Sequence, residues 1–151
     1  MASKGFGIDF SGVNKLATEL GNLGDEVLKQ AVDNALTASK DYVNNSIREA
    51  MDASPYNFNK GVHYSRGKAK ASLSKVSTMP VDWSGNIALA YLGVDLKEAL
   101  EVMFLIWGTP HLEADTNLRN AIKVKGKYAA EVNKIQKEEF YKVLKGALNN
   151  G

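Results

Sequence analysis

The residues able to do chemistry are few and scattered. His63 and His111 are the two histidines, and they stand far apart with no spacing that builds a metal site. They read as ordinary loop histidines. Three carboxylate pairs occur: Glu98 with Glu101, Glu113 with Asp115, and Glu138 with Glu139. General acid–base work needs one desolvated carboxylate facing another. Nothing around these pairs marks such an environment, and the first pair has the spacing of a solvated helix face. Gly67-Lys68 fails as a phosphate loop, because Ala69 follows it and Val62 stands where the first glycine belongs. Ser11-Gly12, Ser65-Arg66 and Ser84-Gly85 lie in turn sequence, without a nucleophile-elbow context. With no cysteine in the chain, thiol catalysis, disulfides and zinc-thiolate sites are excluded, as in a reducing cytoplasm. The sequence therefore implies no enzyme, no metal and no cofactor.

One segment combines residue types suited to recognition. From Ser54 to Lys70 the chain carries Tyr56, Phe58, His63, Tyr64, Arg66, Lys68 and Lys70, with no clear period. A loop of that length is unusual in a compact domain. Its aromatic and basic side chains suit a protein partner, where Tyr and Arg are favoured anchors. They also suit bases and phosphates of nucleic acid. The candidate interface residues are Tyr56, Phe58, His63, Tyr64, Arg66 and Lys68, with Trp107 further along.

These residues hang on a spine. Val27, Ala31, Ala35, Ser39, Val43, Ile47 and Ala50 recur in steps of four or three, and Leu28, Val32 and Leu36 widen the stripe. The spacing predicts one amphipathic helix over about 25–53, roughly 42 Å long at 1.5 Å per residue. Lys29, Asp33, Lys40, Asp41, Asn44, Arg48 and Asp52 fall on the opposite, polar face. Asp25 stands at the N-cap position, and Ser54-Pro55 stops the helix. Before it, Phe6, Ile8 and Phe10 alternate as a short strand or arm, and Leu16, Leu20 and Leu23 mark a short helix. After the loop, Leu73, Val76 and Met79 suggest a wet strand. Asp82 to Asn86 carries turn chemistry, with Trp83 as anchor, and Ile87 to Val94 reads as a dry strand. Together they predict a β-hairpin over about 71–94. Leu96 to Trp107 is ambiguous and favours a short helix ending at Gly108. Asp115-Thr116 caps a further helix, Gly126 interrupts it, and Tyr128 to Leu148 closes the chain; these C-terminal helices span about 115–148.

The expectation is a single α+β domain over 1–151: a long N-terminal helix packed on a small antiparallel sheet, with further C-terminal helices. Hydrophobic content of 44% and charged content of 24% are ordinary for a soluble globular chain. The longest apolar run, Val102 to Trp107, is far short of the about 20 residues a membrane span needs. No charged-then-apolar leader opens the chain. The net charge of +2 hides segregation. Residues 54–81 are purely basic, 82–116 mainly acidic and 117–151 mainly basic. Opposite charge on different segments suits head-to-tail contact between copies, with loop 54–70 against the stretch Asp82 to Asp115.

The order of short motifs resembles a known family. Phe10-Ser11-Gly12-Val13 comes first, then Leu16 to Leu23, Gly24 and the long helix with its proline stop. Arg66-Gly67-Lys68-Ala69 runs into Ser72-Leu73, followed by Gly93-Val94-Asp95. Ile106-Trp107-Gly108-Thr109-Pro110 precedes Asp115, Leu118, Asn120-Ala121 and a closing helix. This resembles the tail-component family of long-tailed bacteriophages, also called neck, head–tail joining or tail-completion proteins. The sequence departs from the family's pattern at Trp107 and in loop 54–70, which is longer and more aromatic. The resemblance implies structural work in the virion. A homo-oligomeric, typically hexameric ring would join the capsid connector, or head-completion protein, to the tail terminator or tail-tube protein. It would assemble in the host cytoplasm, with only passing contact with channel DNA, no membrane, no catalysis and no cofactor. The alternative from the residues alone is a small DNA-binding protein using loop 54–70 and the basic C-terminal helix.

Overall fold

The computed structural model describes residues 24–56 and 67–149. The expected N-terminal strand and short helix, and Phe58, His63, Tyr64 and Arg66 of the loop, lie outside the described residues. The rest is an α+β arrangement: five helices and one two-stranded sheet among the described residues.

The spine, α1, runs Asp25–Asp52. Its N-cap is Gly24, with Asp25 and Glu26 in the first turn, where carboxylates favour the positive end of the helix dipole. The expected cap at Asp25 is thus displaced by one residue. Pro55 follows at the C-terminal end, where Ala53 N donates to Glu49 O at 3.0 Å. The apolar stripe is inward as its period requires: Ala31, Ala35, Leu36, Val43, Ile47 and Met51 are buried. Two residues assigned to the polar face are buried as well. Lys40 Nζ reaches across to donate to Met79 O at 2.8 Å. Asn44 Oδ1 accepts from Gly93 N at 2.9 Å. Each supplies a partner to a loop backbone group, so tertiary contact overrides helical position.

After the loop comes α2, Lys68–Ser77. The expectation of a strand from Ala71 to Met79 fails here, and the loop ends at Gly67. Leu73 and Val76 are three apart, and Ala69 and Ser72 complete the buried face. Counting only large apolar residues hid that helical period, because Ala and Ser supply two of its inward positions. Gly67 permits the start, with φ at 75°.

The hairpin is correspondingly short. β1, Asp82–Ser84, pairs antiparallel with β2, Ile87–Leu89, in the register Asp82↔Leu89, Trp83↔Ala88 and Ser84↔Ile87. β1 thus lies in the stretch read as the turn. Trp83 does anchor it, its Nε1 donating to Asp33 Oδ1 at 2.7 Å with Lys29 Nζ 5.6 Å from the ring centroid. Since Trp83 and Ala88 share the inward face, Ile87 and Leu89 point outward. The strand expected to be dry is exposed.

α3 is Glu101–Trp107, α4 Thr116–Ile122 and α5 Lys127–Asn149. α5 lies along the spine. Near the spine's N-terminal end, Ala31 and Ala35 admit Phe140 and Leu144 into one buried cluster. Towards the other end Val43, Ile47 and Met51 pack with Leu73, Val102, Leu105, Ile106, Leu118 and Val132 in a second. Between them a small polar contact is buried: Gln136 Nε2 donates to Ser39 Oγ at 3.1 Å, and Ser39 Oγ donates to Leu36 O at 3.0 Å.

Candidate contact surface

After its first residue, Glu101, α3 is apolar on all sides. Val102, Leu105 and Ile106 enter the core, together with Ala99 just before the helix. The opposite side carries Leu100, Met103, Phe104 and Trp107, at helical spacing. Phe104 is 52% and Trp107 59% exposed. A buried helix tolerates this composition; a surface helix leaves a contiguous apolar face in water, and such faces mark interaction sites. The sequence singles out Trp107 as a contact residue and puts Leu96, Ala99, Leu100, Met103 and Phe104 in the same helical stripe; of these the structure buries Ala99 and turns Leu100, Met103 and Phe104 outward. Nothing local to the segment says which side of the helix goes inward.

The helix is held rigidly from behind. Asp115 is buried and ties three elements together. Its N donates to Leu105 O of α3 at 2.8 Å. Oδ1 caps α4 by accepting from Leu118 N at 3.0 Å, the cap anticipated from Asp115-Thr116. Oδ2 accepts from Ser54 Oγ, just past the spine, at 2.5 Å. Gly108 ends α3 at φ 76°, and a Cβ there would sit 2.9 Å from Leu112 O. Only glycine fits both the conformation and the space.

Trp107 has a basic flank. Lys123 Nζ lies 4.7 Å and the Arg119 guanidinium 5.9 Å from its ring centroid, within cation–π range. Beyond Lys123 opens a shallow cavity of about 430 Å³, lined by Tyr42, Ser46, Asn120, Ala121, Lys123, Lys125 and Tyr128. Burial pushes the Tyr128 hydroxyl above its ordinary pKa. The neighbouring Ser46 hydroxyl, which donates to Tyr42 O at 3.0 Å, opposes this only in part.

The remaining candidates of the loop divide. Tyr56 packs against the core edge, and its hydroxyl donates to Glu113 O, so it closes the fold. Lys68 is exposed at the start of α2. Lys70 pairs with Asp52, and Lys75 with Glu98. The second pair joins the basic and acidic segments within one chain, so the charge alternation read as complementarity between copies is partly consumed inside the molecule.

A second exposed apolar face lies on the hairpin: Ile87, Leu89 and the adjoining Tyr91 are 63%, 47% and 45% exposed. Asp82 stands opposite Leu89, and its Oδ2 accepts from the Tyr91 hydroxyl at 3.2 Å, which raises the Tyr91 pKa. Among the described residues no group of three or more His, Asp or Glu side chains could hold a metal ion, and no helix is long and apolar enough to cross a membrane. Compared with protein-family models, curated proteins and solved structures, the chain matches none.

Proposed function

We propose that this protein is a structural subunit that works through contacts: a ring component of a bacteriophage neck, joining the capsid connector to the tail. The observation that carries the reading is the outward face of α3. Four large apolar side chains at helical spacing, on a helix fixed from behind by Asp115 and Gly108, form a preorganised docking surface. The motif order from Phe10 to the closing helix supports the neck in particular.

The competing DNA-binding reading has weaker support. Lys70 and Lys75 of its basic stretch are paired with carboxylates. Lys123 and Lys125 beside Tyr42 and Tyr128 are the best remaining basic and aromatic combination among the described residues. The two readings respond oppositely to salt, since phosphate contacts weaken steeply and an apolar interface does not. Native mass spectrometry and electron microscopy of the purified chain test the proposal. Closed rings that survive raised salt and are lost in Phe104→Asp are expected. In the phage carrying the gene, that variant should leave filled heads and free tails. A monomer at all concentrations, together with normal yields of joined virions from Phe104→Asp, would refute it.

A further inference from the structure

The two exposed apolar faces stand at different levels of the spine. The hairpin is pinned at Asp33 through Trp83, and α3 packs among Ile47 and Met51. From Asp33 to Met51 the spine climbs roughly 27 Å at 1.5 Å per residue. Their rims also differ in sign. The α3 face is flanked by Arg119 and Lys123 at Trp107, while Glu101, the acid on that helix, has its Oε1 buried. The hairpin face, Ile87, Leu89 and Tyr91, has Asp82 among its outward residues.

From this we infer that the α3 face of one copy docks on the outward hairpin face of a second copy, with Arg119 and Lys123 of the first meeting Asp82 of the second. Like meeting like is disfavoured. Two α3 faces would bring basic rims together, and two hairpin faces would bring carboxylates together, each at a cost in repulsion. The unlike pairing matches apolar to apolar and base to acid. Because the two surfaces differ, the contact is heterologous, so copies add head to tail and close into a ring where the rotation permits. The inference rests on the assembly reading above and names the surfaces that would build it. It names the apolar contacts that must supply the affinity beside any pairing of loop 54–70 with the acidic stretch, since apolar anchors carry binding energy and rim charges mainly orient.

The absence of cysteine permits a direct test in the 151-residue chain. Phe104→Cys and Leu89→Cys alter exposed positions, and each is made as a single-cysteine protein. With a short bis-maleimide, the mixture should give a covalent dimer whose mass contains one of each variant, while neither variant alone cross-links. A chain carrying both cysteines should give a ladder. Asp82→Lys should slow mixed cross-linking by about tenfold or more, and Lys123→Glu on the other variant should restore it. Self-cross-linking of Phe104→Cys alone would overturn the inference in favour of an isologous contact. No mixed product would also overturn it. Failure of Phe104→Cys to react with a monofunctional maleimide in dilute solution would overturn it too, by showing that the face is not open in the free chain. The mass of the unsubstituted protein is measured in parallel. Rings without the mixed cross-link would sink this pairing and leave the assembly reading standing; no rings and no neck defect would sink both.

Discussion

Asp115→Ala would break the joint behind α3. The carboxylate makes two contacts that alanine cannot: the cap to Leu118 N at 3.0 Å and the bond from Ser54 Oγ at 2.5 Å. Loss of an N-cap costs about 1 kcal/mol. Loss of a hydrogen bond to a charged group adds about 1.5–3 kcal/mol. The sum, about 2.5–4 kcal/mol, is an upper value, because the carboxylate also carries a desolvation cost that alanine relieves. For a chain of this length about 3 kcal/mol lowers the melting temperature by roughly 6–12 °C. Asp115→Asn keeps an acceptor for the cap and should cost about 1 kcal/mol. Urea unfolding of Asp115→Ala, Ser54→Ala and the double variant gives the coupling, expected at about 1–3 kcal/mol. If desolvation dominated, Asp115→Asn would stabilise the protein. That outcome, or a coupling near zero, would refute the account of Asp115 as the joint.

Val43 is 2% exposed in the larger core cluster, so Val43→Asp buries a charge with no partner there and should cost several kcal/mol; a melting temperature within a few degrees of the parent would contradict that packing. Gly108→Ala meets both a positive φ and Leu112 O at 2.9 Å, whereas a Cβ at Gly85, φ 61°, meets nothing within 4 Å. Chemical denaturation should therefore show a loss of about 1 kcal/mol for Gly85→Ala and clearly more for Gly108→Ala. The raised Tyr128 pKa means the folded state holds the phenolic proton more tightly than the unfolded chain, whose tyrosines titrate near 10. That contribution is complete below pH 10 and is lost as pH rises through the folded value. Melting curves from pH 9 to 11.5 should fall less steeply for Tyr128→Phe, and identical slopes would exclude Tyr128 as a source.

Much of the fold is legible in the sequence where a local signal has one physical meaning. The spine has a long single-sided period, so its apolar inward stripe follows from helix geometry, and Ser54-Pro55 marks its end to within about a residue. Asp115 caps, Gly108 stops and Gly126 interrupts because dihedral and side-chain requirements act within a few residues. The failures share a different cause. α2 looked like a weak strand because its inward positions are shared between Ala69, Ser72, Leu73 and Val76, and small residues become core only when another element approaches them. Lys40 and Asn44 sit inside where they bond Met79 O and Gly93 N, groups distant in sequence. The same holds for the candidate surface. The sequence shows that Leu96 to Trp107 is apolar, but both Ala99, Val102, Leu105 and Ile106 and Leu100, Met103, Phe104 and Trp107 keep helical spacing. Only the packing of the first set against Ile47, Met51 and Leu118 decided which set was left facing water. Burial is a property of neighbours brought together by the whole chain, and a local period determines a stripe without determining what covers it.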